Sequence, residues 1–336
     1  MSWPVLGDVV VRARGLANHL LDRRTLLQLA RASGSGALAT ALEDVGYWPA
    51  PTAGGPAHSA AAIVNRSIEY ETLKRLSVLT RWLADRVALF AGLFELEMRD
   101  ALRVRLRALA SAAPGTAAAP PAPAGWPALR DLRTASAHAS DLAELIRALT
   151  RVNSPYATAL AAARRAHGDD LRALEAVLDR TWASRALAAA PRAGDALSRW
   201  AQDEIDLHNA WDALAGGAGP FLADGRWLPQ SLHAAIAAEA DPALRRRQLD
   251  AAFQTSTLAG VFDDSELGPD ALEARARALR IAAAHHAARL DPIGASPILE
   301  VVLRLWAERA DLRCISWGIA TSLSYETITA RLVAGP

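Results

Sequence analysis

Three short stretches carry the side chains most able to do chemistry. EMRDALRVRL begins at Glu97, DLHNAWDAL at Asp206 and DLRCISWGI at Asp311, and each sets a carboxylate three residues before a small residue: Asp100, Asn209 and Cys314. Positions i and i+3 share one face of a helix, so each pair can bond a neighbouring helix, cap exposed backbone or meet a partner. Asp203, Glu204 and Asp206 beside His208 offer ligands for a cation, but the run reads more simply as the polar face of a helix. His285 and His286 are adjacent, and successive helix residues point about 100° apart, which makes one shared metal unfavourable. Cys314 falls in an apolar rhythm and reads as a small buried residue rather than a reactive thiol.

Motifs that carry catalysis elsewhere are missing. The chain has no GxxxxGK[ST] loop, no HExxH and no GxSxG, and none of its eight histidines has a Glu three residues before it. Gly34 and Gly36, and the pair Gly216-Gly217, are too isolated for a dinucleotide fingerprint and read as loops. Lys74 is the one lysine, which leaves little room for Schiff-base or phosphate-cradling chemistry. No catalytic residue, cofactor or metal is therefore expected.

The elements that must position the three signatures are helices. Hydrophobic residues make up 51% of 336 and aromatics only 6%, with Ala and Leu dominant and β-branched residues sparse. Leu76, Leu79, Leu83, Val87, Phe90, Phe94 and Met98 recur at steps of three and four and predict one long helix ending in the first signature. Leu171, Leu174, Leu178 and Trp182 form a second stripe, and Leu197, Trp200 and Ile205 lead into the second signature. Ile298, Val301, Leu305, Leu312, Ile315 and Ile319 lead through the third, with Glu308 in the slot where an apolar residue is due. A short hairpin around Asp224-Gly225 is suggested by the apolar flanks Phe221, Leu222, Trp227 and Leu228.

The signatures lie 109 and 105 residues apart, so the chain reads as three diverged copies of one helical unit. We expect unit one at 1–110, unit two at 126–216 and unit three at 217–336, with the Ala/Pro-rich stretch 111–125 as a connector lacking helix or strand. Formal net charge is +1 from 37 basic and 36 acidic residues, which gives no global field for nucleic acid or an anionic membrane. The single cysteine fits a reducing compartment. The opening MSWPVLGDVVVRARG lacks the pattern of a signal peptide, and prolines break the longest uncharged stretch, Ala108 to Leu129. A soluble helical body is expected.

These stretches have a counterpart. VRARGLANHLL from Val11, DLHNAWDAL from Asp206, FLADGRWL from Phe221 and the closing block from Asp291 follow one another in an order that resembles the C (or d) subunit of V-type and archaeal-type rotary ATPases. The resemblance covers nearly the whole chain. It implies an all-α fold of three similar units in a pseudo-threefold, funnel-like arrangement, and a non-catalytic rotor part. Such a part sits on the cytoplasmic face, between the proteolipid ring of the membrane sector and the central-stalk subunits, and meets the membrane only through the complex. The chain departs from the family pattern at Asp100 and Cys314, where Asn is typical, and at Trp317-Gly318, where a basic residue precedes the glycine. The rival readings are a helical repeat scaffold without a rotary role and an all-helical enzyme with a site assembled from scattered residues.

Overall fold

A computed structural model describes residues 6–48, 59–111, 127–264 and 267–333, and every regular element among them is helical. In chain order these are α1 (Gly7–Ala17), α2 (Arg23–Leu29), α3 (Ser35–Asp44), α4 (Ala60–Leu83), a 3-10 helix (Ala84–Phe90), α5 (Ala91–Ala110), α6 (Pro127–Ala137) and α7 (Leu142–Arg151). They continue with α8 (Ala157–His167), α9 (Leu171–Ala193), α10 (Asp195–Leu214), α11 (Gln230–Ala238), α12 (Pro242–Phe253), α13 (Pro269–Leu290), α14 (Ser296–Ala320) and α15 (Tyr325–Thr329). The expected connector, 111–125, lies outside the described residues apart from Ser111.

Local chemistry sets the helix ends. Asp22, Asp141, Asp170, Asp241 and Ser324 each accept a backbone N–H of the first turn that follows, at α2, α7, α9, α12 and α15. At α7 the cap is reciprocal, because Glu144 accepts the Ser140 N–H at 2.7 Å while its own N–H bonds Asp141 at 2.7 Å. Gly194, with φ of 130°, ends α9 and opens α10, a backbone state that side chains resist.

Two sequence expectations change at this level. The long stripe from Leu76 to Met98 is not one helix: α4 stops at Leu83, Ala84 turns with φ of 50°, and the 3-10 helix precedes α5. The stripe still faces inward, with every member but Val87 buried. Gly34 and Gly36 are not both in a loop, since Gly34 is the N-cap of α3 and Gly36 lies in its first turn.

The helices cluster into two bodies. One contains the described residues 84–111 and 127–264, and the other 6–48, 59–83 and 267–333. In the first, α5 packs along α9. Trp182 donates its indole N–H to Gly92 O at 2.8 Å, and a Cβ at Gly92 would lie 2.6 Å from that of Ala186, so only glycine permits this approach. In the second body α14 packs against α1, α4 and α13, and a core of Leu26, Leu38, Leu42, Tyr47, Ile68 and Ile315 fills the space.

Candidate functional site

Asp206 sits mid-way along α10 with no exposed surface. Its carboxylate accepts three consecutive backbone N–H groups: Arg226 at 2.7 Å, Trp227 at 2.9 Å and Leu228 at 3.1 Å. One turn on, Asn209 completes the grip, donating to Leu222 O and accepting from Leu222 N, both at 2.8 Å. These two side chains hold the non-helical segment after α10 from inside, and they explain why the suggested hairpin does not form. The N–H groups that a partner strand would have bonded are already engaged by a carboxylate, and residues 221–229 contain a turn but no strand. Gly225 is required here because a Cβ would lie 2.2 Å from Asp206 Oδ1. Burial pushes the Asp206 carboxyl up, against the opposing effect of the three backbone donors.

Asp203, one turn earlier, is also buried rather than on a solvated polar face. It accepts the Thr257 hydroxyl and the Trp227 indole, both neutral donors. Burial, with smaller contributions from the charges of Asp206 and Glu204, raises its carboxyl to about 6. His208 completes this stretch, and burial pushes its imidazole down toward the neutral form. Among the described residues no group of three or more His, Cys, Asp or Glu side chains is placed to hold a metal ion.

The third signature repeats part of this plan in the other body. Asp311, 1% exposed on α14, accepts the Val333 N–H at 3.0 and 3.1 Å. Val333 lies 22 residues after Asp311, the same separation as from Asp206 to Leu228. Three residues before Asp311, as Asp203 stands before Asp206, is Glu308, 1% exposed. Its carboxylate accepts the Leu21 N–H, the Tyr47 hydroxyl and Arg75 Nη1, the last at 2.8 Å. Burial pushes the Glu308 carboxyl up and Arg75 opposes the shift, while burial and the Glu308 charge hold the Tyr47 phenol well above its usual value. Arg75 also lies over the Tyr47 ring, 4.8 Å from its centroid.

The first signature differs. Glu97 is buried at 6% exposure on α5, whereas Asp100 is exposed and bonds Arg99 at 2.9 and 3.0 Å. The position 22 residues beyond Glu97 is 119, outside the described residues. Cys314 is half-buried, and burial pushes its thiol up, away from the reactive thiolate.

The six signature residues are thus not gathered into one constellation: Glu97, Asp100, Asp206 and Asn209 belong to one body, Asp311 and Cys314 to the other. Sequence reasoning named Asp206, Asn209 and Asp311 but not Glu308, Arg75 or Tyr47 as their companions. One signal was present, since a charged residue at a core-facing step of a helix must bring its own partners.

Chemically, the arrangement holds chain segments in place. Asp206, Asn209, Asp311 and Glu308 each accept backbone N–H groups from distant segments. No helix among the described residues is long and apolar enough to cross a membrane. A search of curated proteins finds no match. A family model for the ATP synthase (C/AC39) subunit matches residues 9–331, and the chain belongs to that family of V/A-type ATP synthase subunits.

Proposed function

We propose that this chain is a non-catalytic rotor subunit that couples the central stalk of a V/A-type rotary ATPase to its membrane proteolipid ring, passing torque between ATP turnover and ion transport. The observation that carries the reading is the family match over 9–331. The buried acids support it: they stiffen the body by tying distant segments to long helices, and a torque adaptor needs a stiff body. The shared 22-residue separation also supports descent from repeated helical units, which we place at 1–110, 126–216 and 217–336.

The purified chain is expected to bind a detergent-solubilised proteolipid ring and the central-stalk subunits at the same time, in one complex by size-exclusion chromatography. Binding should weaken with salt, because charge pairs at a wet rim are screened over about 10 Å at moderate ionic strength. Failure to hold both partners at once contradicts the adaptor reading, as does micromolar affinity of the isolated chain for ATP by calorimetry.

A further inference from the structure

The body built from α1–α4 and α13–α15 has an open cleft of about 340 Å³ between the start of the chain, α13 and α14. Its walls are mainly apolar, supplied by Leu20, Leu21, Ile281, Ala282 and Ala307. The polar side chains on it fall into two groups. Glu308 is already engaged by Arg75, Tyr47 and the Leu21 N–H, so its charge is compensated within the protein. Glu300, Arg304 and His285 form the other group.

In that second group the pairing is incomplete. Glu300 Oε1 meets His285 Nδ1 at 2.9 Å and Arg304 Nη1 at 3.8 Å, and the second distance is beyond hydrogen bonding. Both contacts fall on Oε1, and among the described residues Oε2 has no hydrogen bond. Side by side, next to an apolar wall, stand a guanidinium with N–H donors to offer and a carboxylate oxygen with lone pairs to offer. Their charges cancel, so a ligand of net charge is not favoured over one that carries both signs on neighbouring atoms. A volume in this range, mostly apolar with a few polar groups, suits a small ligand.

We propose that the cleft binds a zwitterionic α-amino acid with an apolar side chain: its carboxylate on Arg304, its ammonium on Glu300 and its side chain against Ile281 and Ala307. Planar guanidinium–carboxylate pairing gives the stronger anchor, and His285 fixes Glu300 by its other oxygen. The inference is independent of the rotor reading, since it concerns one body of the isolated chain.

The test is calorimetric titration of the full chain with L-phenylalanine and two analogues that each lack one charge, 3-phenylpropionate and phenethylamine. L-Phenylalanine should bind saturably, and each analogue about tenfold or more weaker, the scale of one lost charge-assisted hydrogen bond. Arg304→Gln should weaken L-phenylalanine about tenfold while leaving phenethylamine unchanged, and Glu300→Gln should weaken L-phenylalanine while leaving 3-phenylpropionate unchanged. Ala282→Phe, at an exposed position on the cleft, should abolish binding with the circular dichroism intact. No saturable L-phenylalanine binding up to about 10 mM, analogues as tight as L-phenylalanine, or Arg304→Gln weakening all three ligands alike would overturn the proposal.

Discussion

Asp203 and Glu308 stand at the same step of their signatures, three residues before Asp206 and Asp311, and the two bodies solve the burial of that acid differently. Around Glu308 the protein supplies a cation, Arg75, together with a phenol and a backbone N–H. Around Asp203 it supplies a threonine hydroxyl and an indole N–H, with two further acids on the same helix. A buried carboxylate with a counter-ion tends to keep its charge, whereas one held by neutral donors next to other carboxylates drifts toward protonation. The comparison shows that the repeated acid position requires satisfaction of the carboxyl group: burial raises both carboxyls, and only Glu308 has a cation to oppose the shift.

The largest effect should follow from removing the counter-ion. Arg75→Met leaves Glu308 buried without a cation and is expected to cost roughly 3 to 5 kcal/mol in denaturant unfolding. Glu308→Gln in that background should recover part of the loss, and absence of recovery would mean that Arg75 acts through packing on Tyr47 instead.

Next in size is the three-donor grip. Asp206→Ala strands the N–H groups of Arg226, Trp227 and Leu228, for an expected loss of about 3 kcal/mol, and Asn209→Ala, with two bonds to Leu222, about 2 kcal/mol. Hydrogen exchange should show faster amide exchange at 222–228 in both variants. Unchanged protection there would break the assignment of these residues as the anchors of that segment.

The Asp203 site should also be visible in the pH dependence of stability. The Asp203 carboxyl lies at about 6 in the folded chain against 3.8 for its ordinary value. Its folded value is the higher one, so the folded state gains relative stability as pH falls. That contribution is complete below about 4 and lost as pH rises through 6, up to about 3 kcal/mol over the window. Asp203→Asn should flatten the stability curve between pH 4 and 7 and stabilise the chain at pH 8, read from unfolding midpoints. An unchanged slope would show that Asp203 titrates near its ordinary value in the folded chain. The smallest change is Thr257→Val, expected to cost about 1 kcal/mol and to push the Asp203 carboxyl higher still.

Much of this was legible in the chain. The helical class and the three acids follow from periodicity and spacing, because an amphipathic helix writes its buried face into the sequence every three or four residues. The stripe from Leu76 to Met98 revealed which residues are buried but not that Ala84 breaks the helix, since alanine carries no breaking signal and its positive φ is imposed by tertiary context. Around Asp224-Gly225 the turn was readable and the absence of a strand was not. The deciding partner, Asp206, lies about 20 residues upstream, and a side chain competing for backbone N–H groups leaves no local mark. Arg75 and Tyr47 were missed for the same reason: they meet Glu308 across separations of 233 and 261 residues.

The central claim is tested most directly by ATP-driven ion transport in membranes that contain the rotary complex, measured before and after deletion of this chain and again after adding it back. The rotor reading predicts that deletion abolishes transport, that hydrolysis by the catalytic head persists, and that the purified chain restores coupling. Transport unchanged by the deletion contradicts it.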